Sequence, residues 1–215
     1  MVLLARGSTF TNDVLPGFEK INRFHCRENN MEMVKILPGE FYATRSNEII
    51  ATVLGSCISV CIRDVSARIG GMNHFMLPEN KNTDDDAWKY NKIDKAARYG
   101  SDAMEHLINE ILKYGGKKSN FEIKICGGGQ ILKNMSDIGR KNIDFIHEYL
   151  KTEGLPITSE DLGTIYPRKV RYFPMTGILR IQKLRSLHND TIIKRETEYQ
   201  QELKSAPVAG EVELF

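Results

Sequence analysis

Short runs of apolar and β-branched residues, separated by Gly, Pro and Asp, follow one another through the first half of the chain. They occupy residues 34–37, 49–54, 58–63 and 68–77. Runs of this length and composition are typical of β-strands, and the residues between them are typical of turns. The pattern therefore predicts a mainly β first half.

Helical spacing appears in the second half, where two sets of apolar residues recur at intervals of three and four. They are Met104, Leu107, Ile108, Ile111 and Leu112 before Gly115, and Ile143, Ile146, Tyr149 and Leu150 before Gly154. A strand-like run at 121–126 separates them, and runs at 170–173 and 178–184 are joined through Pro174-Met175-Thr176-Gly177, a typical hairpin connection. We predict an α+β fold with a layered, mostly antiparallel sheet core and at least two amphipathic helices packed outside.

The same pattern divides the chain into three parts. Residues 1–32 lack a sustained period, which predicts an N-terminal extension that is packed over the domain or partly disordered. Residues 33–188 form the predicted domain. Residues 189–215 are dense in charge, which predicts a solvated C-terminal tail. A docking tail that ends in Val212-Glu213-Leu214-Phe215 is the alternative.

Composition narrows the function classes. The 215 residues carry 30 Lys and Arg against 28 Asp and Glu, so a net charge of +2 gives no broad electrostatic reason to expect nucleic acid or anionic lipid as a partner. The apolar start, residues 1–5, is too short for a signal peptide. The longest nearly apolar run, residues 49–62, is shorter than the roughly 20 residues of a spanning helix. We expect neither secretion nor membrane insertion.

The cysteines and the acidic residues give no sign of a disulfide framework or a metal site. The four cysteines, Cys26, Cys57, Cys61 and Cys126, are few and far apart, which favours a reducing cytoplasm. No Cys-x-x-Cys pair occurs, and no ligand set accompanies the three aspartates at 84–86, so a solvated loop is expected there. We predict no metal and no cofactor.

Cys57 and His74 are the candidates for chemistry. If residues 64–67 are the hairpin loop, Cys61 faces Gly70 and Cys57 faces His74. Directly opposed side chains have Cβ atoms about 4.5–5.5 Å apart, close enough for a thiol and an imidazole to meet. A neighbouring imidazole can take the proton of a cysteine and return it to a leaving amine.

The two residues before the cysteine suit the same chemistry. Gly55 and Ser56 permit a tight bend whose backbone N–H groups could form an oxyanion hole. The competing interpretation is a packed core cysteine beside a satisfied core histidine, because free cysteine is among the most buried residue types. The residues alone leave both interpretations open, a cysteine hydrolase and a structural pair.

A series of sequence blocks runs in order over about residues 36–184. The most specific are residues 53–64 and 70–78, which contain Cys57 and His74. Weaker blocks are Lys124-Ile125-Cys126-Gly127-Gly128-Gly129, Ile138-Gly139-Arg140-Lys141-Asn142, Asp161-Leu162-Gly163, Arg168-Lys169-Val170 and Thr176-Gly177. Together they resemble the CheD family, the chemoreceptor glutamine deamidases of bacterial chemotaxis, in its longer proteobacterial form.

The resemblance implies roles for particular residues. Cys57 is the implied nucleophile and His74 the implied general base and acid. A threonine completes the family's site, and its pattern has that threonine six residues before the cysteine, where this chain has Ala51. We assign the role to Thr52, the next residue.

The resemblance also implies a reaction and partners. The reaction is hydrolysis of glutamine side chains to glutamate on methyl-accepting chemotaxis receptors, through a thioester, with hydrolysis of glutamyl methyl esters as a second activity. The partners are the cytoplasmic helices of a receptor and, in some bacteria, a CheC-type phosphatase. The family's fold is a layered arrangement of sheet and helices. Because of Ala51, a non-catalytic receptor-binding adaptor is the alternative function.

Overall fold

The computed structural model describes residues 14–77, 86–131, 138–184 and 190–205, and the side chains of 14–77, 99–131, 138–184 and 191–203. The strands are β1 (Asn22–Cys26), β2 (Met31–Lys35), β3 (Phe41–Thr44), β4 (Ile49–Leu54), β5 (Ile58–Asp64), β6 (Ile69–Asn73), β7 (Phe121–Gly127), β8 (Ile157–Leu162), β9 (Arg168–Phe173) and β10 (Ile178–Lys183). The helices are α1 (Asp86–Lys113), α2 (Ile138–Thr152) and α3 (Asp190–Ser205), with a short 3₁₀ turn at Lys118–Asn120.

The strands form two five-stranded sheets, in the orders β1-β2-β4-β9-β10 and β3-β6-β5-β7-β8. Only the β2–β4 and β7–β8 pairs are parallel among the described strands. Helix α1 packs on β3, β5 and β6, and α2 contacts α1 and β5. The predicted α+β fold, a mostly antiparallel sheet core with helices outside, is confirmed.

One large apolar core joins the two sheets and the helices. Leu54 of β4, Ile62 of β5 and Leu107 of α1 all belong to it and are fully buried. Strand β4 lies in the first sheet and β5 in the second. The three residues between them, Gly55–Cys57, are therefore the point where the chain crosses from one sheet to the other.

The predicted register of the β5–β6 hairpin is wrong by two residues. Asp64 pairs with Ile69 and Cys61 with Met72, so the loop comprises residues 65–68 and Cys61 does not face Gly70. The Asp64 carboxylate accepts the N–H of Ala67 at 2.9 Å, which brings Asp64 itself into the turn. Such a side-chain bond holds the backbone in a turn.

The corrected register changes the relation between the cysteine and the histidine. Ile58 and Phe75 exchange two backbone hydrogen bonds of 2.9 Å, so Cys57 is not directly opposite His74. Because side chains alternate with a period of two along extended strands, a shift of two leaves the prediction of a shared face unchanged and makes the two residues diagonal neighbours in it. Diagonal Cβ atoms lie about 7–8 Å apart, within reach of long side chains.

Three strands and one helix were not predicted. Strands β1, β3 and β8 all lie at sheet edges. An edge strand pairs on one side only and tolerates polar residues, so its hydrophobic signal is weak. β1 also lies within the predicted extension, where it pairs with β2. The boundaries at 33 and 188 stay a prediction.

The solvated tail predicted after residue 188 is wrong for residues 190–205, which form α3. The buried positions of this helix are Glu196, Tyr199, Gln200 and Leu203. Their spacing is helical, but two of the four are polar, so a search for periodic apolar residues does not detect them.

Residues 1–5, Asp84, Asp85 and the docking end at 212–215 lie outside the described residues. No helix in the described part of the chain is long and apolar enough to span a membrane.

Candidate active site

The crossing between the sheets places Cys57 in the interior, with an exposed fraction of 0%. The loop before it begins with Gly55, whose missing side chain leaves room for two neighbouring side chains. A Cβ atom there would lie 2.3 Å from Cδ1 of Ile131 and 2.7 Å from both carboxylate oxygens of Glu196. Gly55 therefore lets the backbone pass close to these groups, and its neighbours Ser56 and Cys57 follow in the same tight bend.

His74 comes directly after β6 and is held at its backbone and at its ring. Its N–H donates to the carbonyl of Glu40 at 2.9 Å, and its carbonyl accepts the N–H of Gly39 at 2.8 Å. Its Nδ1 lies 2.8 Å from the hydroxyl of Thr52 in β4. The ring is thus fixed between the two sheets, and it is Thr52, not Ala51, that contacts it.

The hydroxyl of Thr52 decides the tautomer of His74. This hydroxyl donates its single proton to the carbonyl of Ile36, 2.9 Å away. Its oxygen has only lone pairs left for His74, so Nδ1 must carry the ring proton and donate it. A neutral imidazole with a proton on Nδ1 has a bare Nε2, which is the form that a general base requires. Among the described residues, this buried Nε2 has no hydrogen-bond partner.

Burial controls the protonation of both candidates. It lowers the pKa of His74 to about 3, with a smaller contribution from the charge of Arg195, so the imidazole is neutral at physiological pH. Burial also raises the pKa of the Cys57 thiol well above its usual value, and the charge and side-chain hydrogen bond of Glu196 raise it further. The resting pair is thus a neutral thiol and a neutral imidazole, and a proton must move before the sulfur can act as a nucleophile.

A carboxylate from α3 occupies the space in front of the Gly55–Cys57 loop. Oε1 of Glu196 accepts the N–H of Gly55 at 2.7 Å and that of Cys57 at 3.4 Å. Oε2 accepts the N–H of Ser56 at 2.9 Å and its hydroxyl at 2.7 Å. Three consecutive N–H groups therefore converge on one anion, an arrangement that also suits the oxyanion of an acyl-transfer reaction. Sequence reasoning missed Glu196, because it lies about 140 residues from the loop in a highly charged segment.

Asn142 of α2 is a second residue that sequence reasoning did not place in the site. Its fully buried amide donates to the carbonyl of Ser56 at 2.8 Å and accepts the N–H of Leu77 at 2.8 Å. It therefore ties the cysteine loop to the segment that follows His74. The only sequence signal for it was its place in one of the weaker resemblance blocks.

In the described part of the chain, the other cysteines and histidines lie elsewhere. Cys61 is buried in β5 and Cys126 in β7, and His106 stacks on Phe41 with ring centroids 5.8 Å apart. His147 pairs with Glu160 at an exposed position. The described residues contain no group of three or more His, Cys, Asp and Glu side chains placed to hold a metal ion.

Comparison with known proteins gives a family match and many relatives. The family model described as CheD chemotactic sensory transduction matches residues 76–183, which begin just after His74. A protein of Hahella chejuensis named "Probable chemoreceptor glutamine deamidase CheD" is 49% identical over 94% of this chain and 93% of its own length. A protein of the same name from Halorhodospira halophila is 49% identical over 94% of each chain.

These relatives extend the match over the site. The first two relatives each match 94% of this chain, so the unmatched residues at its ends are too few to include Cys57. A further protein of the same name, from Methylobacillus flagellatus, is 50% identical over 90% of this chain and 95% of its own length. With half of its residues identical to such relatives over nearly the whole length of both, this chain belongs to the CheD family.

Proposed function

We propose that this protein hydrolyses the side-chain amide of glutamine residues on methyl-accepting chemotaxis receptors, converting them to glutamate. The observation that carries the proposal is the hydrogen-bonded chain from the Ile36 carbonyl through Thr52 to Nδ1 of His74, which leaves Nε2 free to act as a base. The names of the relatives supply the substrate, a chemoreceptor glutamine. We place the reaction in the cytoplasm, on the cytoplasmic helices of the receptor.

In the proposed mechanism, His74 acts first as a base and then as an acid in each half-reaction. Nε2 of His74 takes the proton of the Cys57 thiol, and the sulfur attacks the amide carbon. The backbone N–H groups of Gly55, Ser56 and Cys57 stabilise the oxyanion that forms. His74 then gives its proton to the departing ammonia, which leaves a thioester on Cys57. Water, deprotonated by His74, cleaves the thioester and releases glutamate, and His74 returns the proton to the Cys57 sulfur. A glutamyl methyl ester would follow the same steps with methanol as leaving group.

The adaptor alternative rested on Ala51. The 2.8 Å contact between Thr52 and His74 weakens that argument, because a threonine hydroxyl meets the ring although it stands one residue later than in the family pattern. A CheC-type phosphatase as regulatory partner stays a proposal from the family resemblance. We therefore retain the adaptor only as an outcome of the following test.

The test is mass spectrometry of a purified receptor cytoplasmic fragment incubated with the purified full chain. Conversion of an amide to an acid adds about 1 Da in ordinary water and about 3 Da in ¹⁸O-labelled water, since the new oxygen comes from solvent. We expect these gains at particular glutamines and not in receptor incubated alone. A receptor that binds the protein but gains no mass would contradict the deamidase and support the adaptor.

Replacement of Thr52 by valine tests the orientation of His74. The valine has a similar shape but cannot accept the proton of Nδ1, so this buried donor loses its partner. An unsatisfied buried donor costs about 1–3 kcal/mol, which corresponds to a loss of about 5- to 150-fold in kcat. Thr52→Ser keeps the hydroxyl and should retain most of the activity, measured as ammonia release. Equal losses in both variants would contradict the assigned role.

A further inference from the structure

The carboxylate of Glu196 is buried, with 3% of its surface exposed, yet it faces no positive side chain among the contacts described for it. Burying a charged group is costly unless hydrogen bonds replace its water. Among the described residues, the replacement comes from the cysteine loop: the N–H groups of Gly55, Ser56 and Cys57 and the hydroxyl of Ser56. The loop therefore has a built anion site, and α3 fills it.

The group that fills this anion site is of the same chemical kind as the product of the proposed reaction. The product of the proposed reaction is a glutamate side chain, and Glu196 is a glutamate side chain presented by a helix. Its Oε1 accepts the backbone N–H of Cys57 at 3.4 Å, and its negative charge raises the pKa of the thiol of the same residue. A receptor glutamate that has just been formed would leave its carboxyl carbon beside the same sulfur and its oxygens on the same donors.

We propose that α3 is a built-in product mimic: Glu196 occupies the position of the receptor's glutamine or glutamate side chain, and the helix blocks Cys57 until a receptor helix displaces it. This inference rests on the proposed function and names the substrate as a helix that presents one glutaminyl side chain to the Gly55–Cys57 loop. It also makes the described structure the closed form of the enzyme.

Further contacts of α3 are consistent with an exchangeable helix. Tyr199 lies one turn beyond Glu196, and its hydroxyl contacts that of Tyr99 in α1. A Cβ atom on Gly39 would lie 2.9 Å from the same Tyr199 hydroxyl, so the segment next to His74 forms part of the surface on which α3 lies. Gln200 is buried, but its Nε2 has no hydrogen-bond partner among the described residues. An unpaired buried amide weakens the docking of α3, which favours replacement by a better-fitting helix.

Replacement of Glu196 by glutamine converts the mimic into a substrate. In the full-length Glu196→Gln protein, Cys57 would attack the amide carbon of the introduced side chain, the C–N bond would break with loss of ammonia, and water would add its oxygen to the thioester. We expect residue 196 to return to glutamate, with a gain of about 1 Da in its peptide. The gain should be absent when Cys57→Ala is added. The matched control is Glu198→Gln, an exposed position on the same helix, which should keep its glutamine.

A second measurement does not depend on the deamidase reaction. Glu196→Ala should raise the rate at which iodoacetamide alkylates Cys57 by about tenfold or more, since thiol reactivity follows access and thiolate fraction. Glu198→Ala should leave that rate unchanged. Circular dichroism would verify that both variants are folded, and peptide mass spectrometry would separate Cys57 from the other cysteines.

The outcomes distinguish the two proposals. If wild-type protein deamidates receptor while the Glu196→Gln protein keeps its new amide and Cys57 is alkylated no faster in Glu196→Ala, the product mimic is wrong and the proposed function stands. If receptor is never deamidated but Glu196→Ala speeds alkylation, α3 does cover Cys57 and the proposed function fails. Cys57-dependent conversion of the introduced glutamine to glutamate would support both.

Discussion

Cys57→Ala is expected to lower the rate of glutamine deamidation on receptor by about 10⁴-fold or more, because removal of a nucleophile removes the covalent pathway altogether. The variant should fold, since alanine is smaller than the buried cysteine that it replaces and the substitution removes one heavy atom from the core. The rate is measured as ammonia release and as mass gain on the receptor fragment, and binding to the receptor is measured in parallel.

The matched control is Cys61→Ala. Cys61 is equally buried and lies four residues further along, within β5, where its side chain belongs to the apolar core. Its loss should cost some stability and leave most of the activity. Retention of more than about a tenth of the wild-type rate by Cys57→Ala would exclude Cys57 as the nucleophile. Equal losses in the two variants would mean that the effect is structural.

Among the substitutions proposed, Glu48→Ala is expected to cause the largest loss of stability. The Glu48 carboxylate is 2% exposed and accepts hydrogen bonds from Arg23 at 2.7 Å, from Tyr42 at 2.5 Å and from Thr44. Burial, followed by the bond to Glu48, raises the pKa of Tyr42, so the phenol stays protonated and donates. Removal of one partner from such a buried cluster leaves the others unpaired. We expect the free energy of unfolding to fall by about 3–5 kcal/mol.

Urea unfolding followed by circular dichroism measures this loss. The control is Asp144→Ala, which breaks the exposed pair between Arg140 and Asp144 at 2.9 Å on α2. An exposed pair of this kind contributes about 0–1 kcal/mol. A loss in Glu48→Ala no larger than that of the control would contradict a stabilising role for the cluster.

The roles of the site residues rest on two different kinds of argument. The assignments of Cys57 and His74 followed from the family resemblance, because composition and spacing left a buried core pair as the commoner outcome. The predicted hairpin register was wrong, since the carboxylate of Asp64 folds back into the turn and lengthens the predicted strand by one residue. Because the error was an even number of residues, it leaves the predicted shared face of the two side chains standing as a prediction.

By itself, the sequence determined the central strands, the two amphipathic helices and the α+β class, because these elements bury one regular apolar face and the pattern records it. Only the tertiary structure decided that Thr52 meets His74, that Asn142 ties the cysteine loop to the histidine segment, and that Glu196 fills the loop. Each of these is a polar residue buried by partners that are distant along the chain. A polar residue is read as solvent-facing until the chain is folded, because its hydrogen-bond partners, not its own hydropathy, make its burial favourable.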